Sequence, residues 1–284
     1  MYRLVFLLIV LLPASAWAQI DRQGFSFIQR FQGNATASAT ILKSDTTVGY
    51  AFDPYMNFYA GLPLYFTRPD AIVAPGGAAQ YLNGIGNLYV GLQVPIRNEA
   101  ANYTSDIVVM LPTGSKDRGL NTGRVTFDWN NTVQRTFGSV TPFGNLGIGN
   151  TISDTMFFIR PFTSLGLNGH FEGGASLAVV PQVSVNASAY SVRAINTQRI
   201  ISRIVDRPFV RGPGPGLGGS GRVFEIMSEI RVLPDVVNDY GFATWIGVNS
   251  ESNVNFQVGY GRSASYDYDT LFFGLGFRIG TLNR

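Results

Sequence analysis

The chain has no cysteine and one histidine, and charged residues make up only 14% of it. Without cysteine there is no disulfide scaffold and no thiolate metal centre. One histidine leaves only carboxylates as further ligands, so no metal and no cofactor are expected. Soluble domains carry ~25% charged residues, and this chain has too few to cover itself in that way. Beyond the N-terminus there is no apolar run near the ~18 residues that a membrane helix needs. Phosphate-loop and dinucleotide signatures need a strand running through a glycine turn into a helix, and that context is missing. Nucleic acid is therefore not an expected partner. Disorder is excluded from the other side, because 45% of the residues are hydrophobic and 13% aromatic. Glycine is in excess, 33 of 284 residues, where ~7% is ordinary.

The N-terminus reads as an address. Arg3 precedes the apolar run Leu4 to Leu12, Pro13 ends it, and Ala16-Trp17-Ala18 is a small-x-small cleavage site. Residues 1–18 are expected to be a secretory signal peptide, with residues 19–284 as one exported domain. A nine-residue apolar run rises only ~13 Å as helix, well short of the ~30 Å bilayer core.

Most of the remainder alternates with period two. Val254, Phe256, Val258 and Tyr260 interleave with Asn255, Gln257, Gly259 and Gly261. Leu271, Phe273, Leu275, Phe277 and Ile279 oppose Gly274, Gly276 and Arg278, with Phe272 as an exception. Segments 86–96, 55–66 and 125–137 repeat the pattern. Strand side chains alternate between faces, so each segment has one greasy face and one polar or small face. A soluble sandwich also alternates, with its apolar face inward. A membrane barrel points the apolar face at lipid and the polar face at its lumen. The segments run ~10–13 residues, near the 9–11 that cross a bilayer at a tilt, and longer than typical sandwich strands. Their polar faces carry Asn, Gln, Thr, Tyr and Gly rather than Lys and Glu. Aromatics gather at segment ends (Phe52, Tyr55, Phe66, Tyr89, Tyr103, Trp129, Phe137, Tyr190, Tyr240, Trp245), the positions of interfacial girdles.

The expected fold is all-β: a transmembrane, antiparallel, up-and-down barrel in a bacterial outer membrane. Its strands are 24–33, 38–52, 55–67, 84–96, 103–112, 123–137, 140–150, 163–179, 183–194, 240–249, 253–263 and 269–280. That is twelve, an even number as single-chain barrels require. Segment 223–233 has strand character too; it either extends the wall beyond the membrane or raises the count to fourteen. Short turns would face the periplasm, and the loops 68–83, 113–122, 151–162, 195–239 and 264–268 would face outward.

The central third carries a likeness. Gly84 to Gln93 (GIGNLYVGLQ), Leu111 to Gly123 (LPTGSKDRGLNTG) and Val140 to Ile148 (VTPFGNLGI) resemble the outer-membrane barrels of the MetA-pathway-of-phenol-degradation family. The Pro112-Thr113-Gly114 turn is the most specific piece. Ser115 departs from the acidic residue usual after it, and the last aromatic, Phe277, lies before the C-terminal residue. The resemblance implies a transporter-like role in passing small aromatic or hydrophobic molecules.

By parity Arg30, Asp106, Asp128, His170, Glu172 and Arg278 point into the lumen. Such charges pair or meet water, and they either brace the wall or form a constriction that sets solute preference. His170 with Glu172 could also be an acid–base unit of a lipid hydrolase active at the rim. His170 lies mid-strand rather than at the rim, so no catalytic residue is expected. In the longest loop Arg199, Arg203, Arg207 and Arg211 recur every four residues before a Gly-Pro-rich tip. Pro208 breaks a helix there. A strand extension ending in a loop is expected, either binding phosphates of surface lipopolysaccharide or folding into the lumen as a gate. The expected function is passive passage of a small solute, with membrane lipid as the surrounding partner. The alternative is a structural or adhesive barrel whose loops bind lipid or partners.

Overall fold

The computed structural model describes residues 24–35, 39–53, 55–69, 82–155, 158–204, 223–249 and 254–280. The expected signal peptide lies outside them. The wall is made by β1 (Gly24–Ala35), β2 (Ala39–Asp53), β3 (Met56–Pro69), β4 (Leu82–Ile85), β5 (Tyr89–Arg97), β6 (Asn102–Met110), β7 (Thr126–Gln134) and β8 (Val140–Gly149). It continues, after β9 (Phe162–Leu165), with β10 (Asn168–Val180) and β11 (Val183–Ala194). Beyond β12 (Gln198–Ser202) and β13 (Glu229–Val232), it ends with β14 (Asp239–Asn249), β15 (Val254–Ser263) and β16 (Tyr268–Gly280).

Each wall strand pairs antiparallel with its neighbours, and β1 pairs with both β2 and β16, which closes the ring. β4 and β5 both pair with β3 and are one strand broken around Gly86. The wall is thus a closed barrel of twelve strands with no free edge. Closure matters because an unpaired backbone edge cannot be satisfied in hydrocarbon.

The greasy parity faces outward. Leu271 is 70% exposed, Leu146 63% and Phe171 54%. Phe58, Val90, Ile107, Phe242 and Val258 on other strands are exposed in the same way. Moving a Leu or Phe out of water is worth ~1.5–3 kcal/mol. A belt of them round the outside is stable only against an apolar solvent. The opposite parity, with Gln32, Asp45, Asn57, Asp128 and Asn186, is buried within the ring. Turns at one end are tight: Gly138, at φ 60, closes a hairpin in which Phe137 bridges Val140.

Four expectations change. Segment 163–179 is not one strand, because the chain breaks at Gly166 (φ 155) and separates β9 from wall strand β10. Arg199 and its neighbours do not extend the wall; β12 lies between β9 and β13 in a separate three-stranded sheet. Segment 223–233 adds no wall strand, since it splits into a short helix, α1 (Val223–Ile226), and β13. Phe224 is drawn there into an aromatic cluster with Phe162 and Tyr266, at centroid distances of 5.1 and 5.6 Å. Tyr89, Tyr190 and Trp245 are not girdle residues. Tyr190 and Trp245 are buried inside the ring, and the Tyr89 hydroxyl bonds to Asp45 in the lumen.

The three-stranded sheet caps the end of the barrel away from the tight turns. One of its faces packs Phe162, Ile200 and Val232 onto a core with Phe158, Ile204, Val237, Tyr268 and Phe272. Phe272, the exception to the alternation of its strand, points inward because it belongs to this core.

Candidate functional site

The site is the lumen and the loop that enters it. Between β8 and β9, residues 150–155 and 158–161 leave the wall and reach into the bore. Ser153 donates to Asp128 of β7 at 3.1 Å. The Asp154 carboxylate accepts from the Tyr65 hydroxyl of β3 at 2.7 Å and lies 3.7 Å from the Lys43 ammonium of β2. Gln32 of β1 donates to the Thr155 carbonyl at 3.3 Å. Arg160 meets Asp239 of β14 at 3.0 Å, and Asp239 also accepts from Tyr190 of β11 and Ser263 of β15. In the ring order β3, which holds Asp154 through Tyr65, and β14, which holds Arg160 through Asp239, are five strands apart by the shorter way round the twelve. Asp154 and Arg160, themselves joined by a 3.1 Å bond from the Arg160 amide to the Asp154 carboxylate, therefore link β3 to β14 across the lumen.

The cap completes this plug. Arg203, just past β12, turns inward, pairs with Asp154 at 2.9 Å and donates to the Arg160 carbonyl at 3.0 Å. Its guanidinium sits 4.7 Å above the Tyr65 ring. Burial pushes the Asp154 carboxyl up, but Arg203 and then Lys43 pull it down further. Hydrogen bonds from Tyr65 and the Arg160 amide add to that, and the group rests at about 2. The carboxylate is therefore charged at any ordinary pH.

Below the plug the lumen wall is polar. The Tyr59 hydroxyl donates to both oxygens of Asp106 at 2.8 Å. Tyr89 donates to Asp45 at 2.9 Å and shares a 2.6 Å contact with Thr47. These two tyrosines lie on adjacent strands, each over the other strand's glycine. Tyr59 is registered opposite Gly91 and Tyr89 opposite Gly61, and a Cβ at either glycine would run into the ring. His170 likewise covers Gly147 of β8, its register partner, and reaches past it to Asp128 of β7. A good share of the glycine excess is thus the space into which lumen side chains fold.

Of the residues singled out by parity, Asp106, Asp128, His170 and Glu172 lie on lumen-facing positions of β6, β7 and β10. Arg30 stands directly opposite Asp45 in the β1–β2 register. Arg278 is registered against Ile28 of β1, and its side chain lies outside the described residues. The partner of His170, open in the sequence between Glu172 and another lumen neighbour, is Asp128, at 2.9 Å. The Asp128 carboxylate stands between the imidazole and the Ser153 hydroxyl. In a hydrolytic triad the imidazole stands in the middle, so this order does not place His170 to take a proton from Ser153. Of the four loop arginines, Arg199 pairs with Glu229 and Arg203 serves the plug, while Arg207 and Arg211 lie outside the described residues. Arg199 and Arg203 do not share one face.

Asp154, Arg160, Asp239, Lys43, Tyr59 and Tyr65 escaped the sequence reading. One signal was available: Met156 to Ile159 is an apolar run inside a supposed water-exposed loop. The Pro112-Thr113-Gly114 turn proves to be a fastening. Thr113 accepts from the Leu88 amide at 2.7 Å and donates to the Gly86 carbonyl at 3.2 Å, across the break between β4 and β5. Asn121 clamps the Pro112 and Gly114 carbonyls, both at 2.9 Å.

Among solved structures, the chain is similar to an outer membrane channel from Pseudomonas putida F1. The identity is 12% and the TM-score 0.56, covering 90% of this chain and 96% of that one. The porin KdgM, solved with disordered oligogalacturonate, aligns at 6% identity and TM-score 0.49, over 90% and 99% of the two chains. The porin NanC aligns at 6% and 0.48, over 90% and 100%. No family model matches the sequence, and no curated protein matches it. At these identities it is the fold that is shared, and the fold is that of an outer-membrane β-barrel.

Proposed function

We propose that this protein is a bacterial outer-membrane channel that passes small solutes passively, and that its own loop 150–161 is the gate. The observation that carries this reading is the link that Asp154 and Arg160 make across the lumen between β3 and β14. The ties are ion pairs and hydrogen bonds to the wall, groups that water can replace when the loop swings out. Below the gate Asp106, Asp128, His170 and Glu172, with Tyr59 and Tyr89, form the lining past which a solute would move, and the charges set its preference. The resemblance to the phenol-pathway barrels favours aromatic or hydrophobic solutes, and the tyrosine pair offers ring edges to such a molecule. This role requires no reaction.

The test is conductance in planar bilayers, comparing the full chain with a variant in which residues 152–160 are replaced by a short Gly-Ser link. The parent should pass current only in brief openings, and the variant should stay open. If neither passes current or solute at any voltage, the channel reading is wrong.

A further inference from the structure

The outer face of the cap sheet carries a separate feature. Arg199 of β12 is directly opposite Leu165 of β9 on one side and Arg231 of β13 on the other. Residues directly opposite share a sheet face, and like charges so placed repel. Arg124, from the segment entering β7, joins them around a cavity of about 290 Å³ completed by Thr197 and Gln198. One carboxylate, Glu229, is shared between Arg199 and Lys116, the latter at 3.3 Å. The side chains of Arg124 and Arg231 have no hydrogen bond or ion pair among the described residues. Among the described residues, four cations thus stand round one acid, and two of the three arginines in the cavity are unanswered.

We infer that this cavity is an oxyanion site, built for the phosphate of a phosphorylated sugar. Guanidinium forks match phosphate with paired, parallel hydrogen bonds. Thr197 supplies a neutral polar group beside them, while the Gln198 side chain is buried on the other face, its amide bonded to the Leu167 and Asn196 carbonyls. The volume holds a phosphate with part of its sugar. The place of the cavity fits the same chemistry: Val125 and Phe127, beside Arg124, are 53% and 38% exposed and belong to the apolar belt. Arg124 therefore marks the level where hydrocarbon gives way to headgroups. The phosphate has two sources, a phosphorylated glycolipid of the outer leaflet or a soluble sugar phosphate. The row of four loop arginines is not the basis of this site; of those four only Arg199 lines it.

The experiment uses the full chain, refolded in uncharged detergent without phosphate buffer. It is titrated with glucose 1-phosphate, with bisphosphorylated lipid A, and with lipid A stripped of phosphate. The parent should bind a phosphorylated probe. The double variant Arg124→Ala with Arg231→Ala should bind it at least tenfold more weakly, and the double Lys variant should fall between. Binding of lipid A alone names the lipid source, and binding of both phosphorylated probes names a soluble ligand as well. The inference is overturned if neither phosphorylated probe binds, if stripped lipid A binds equally well, or if the Ala variant binds like the parent. Folding is checked by the faster migration of unheated barrels on gels. If the double variant does not fold, Arg231→Gln carries the same test, and unchanged affinity overturns the site. None of these outcomes depends on whether the lumen conducts.

Discussion

Arg160, carried by the loop that crosses the lumen, and Asp239, the first residue of β14, form a 3.0 Å ion pair in which neither side chain reaches solvent. Removing one member of such a pair leaves a buried charge without its counter-charge, which costs ~3–5 kcal/mol. Arg160→Met should therefore loosen the gate and lengthen the openings in single-channel records. Arg160→Met combined with Asp239→Leu should restore part of the closed time, because no orphan charge remains. Equal opening in the single and double variants would show that the pair is not the latch.

Asp154 gives the gate a defined response to acid. Its carboxyl is held at about 2 in the latched loop and would return to ~3.9 once released into water. A depressed carboxyl stabilises the latched form fully above the released value and loses that contribution as pH falls through the latched value. Open probability should therefore be flat from pH 8 to 5 and rise between about 4 and 2. Asp154→Asn should be open more often at neutral pH and lack the acid rise. A parent that opens between pH 7 and 5 would contradict this assignment.

The two parities of β15 should respond differently to charge. Val258 is 46% exposed on the outer face. Val258→Arg at mid-strand should cost ~2–4 kcal/mol in bilayer refolding, and Gln257→Arg, on the lumen side, much less. Equal costs would mean that the faces are misassigned.

The crossed tyrosine–glycine pairs can be tested by filling the glycine. A Cβ at Gly61 meets the Tyr89 ring, and overpacking of this kind costs ~1–3 kcal/mol. Gly61→Ala should lower urea stability, and adding Tyr89→Ala should recover part of the loss. Additive losses would show that the ring does not lie over the glycine.

Asp106 accepts from the Tyr59 hydroxyl on the lumen side of the wall. In the loop-replaced variant, Asp106→Asn keeps an acceptor for Tyr59 but removes a charge. Its reversal potential in a salt gradient should move towards lower cation preference. An unmoved potential would remove Asp106 from the selectivity lining.

The local order was legible because it obeys a local rule. Period-two alternation along β3, β5, β15 and β16 is a property of neighbouring residues, so the greasy face could be read off directly, while the strand count stood at twelve or fourteen until ring closure fixed it at twelve. The outer cap was not legible in the same way. Gly166, Phe224 and Arg203 act through partners far along the chain, and alternation cannot tell a strand that continues the wall from one that leaves it. The partner of His170 shows the same limit. Glu172 is two residues away on its own strand, whereas Asp128 comes within 2.9 Å only because β8 holds β7 and β10 on either side.

The sequence by itself determined which residues share a face, since alternating side chains commit every strand to one apolar and one polar side whatever its neighbours are. Only the tertiary structure decided that the bore is plugged. That depends on Asp154 and Arg160 reaching β3 and β14 at once, a distance set by ring closure and invisible in the order of residues.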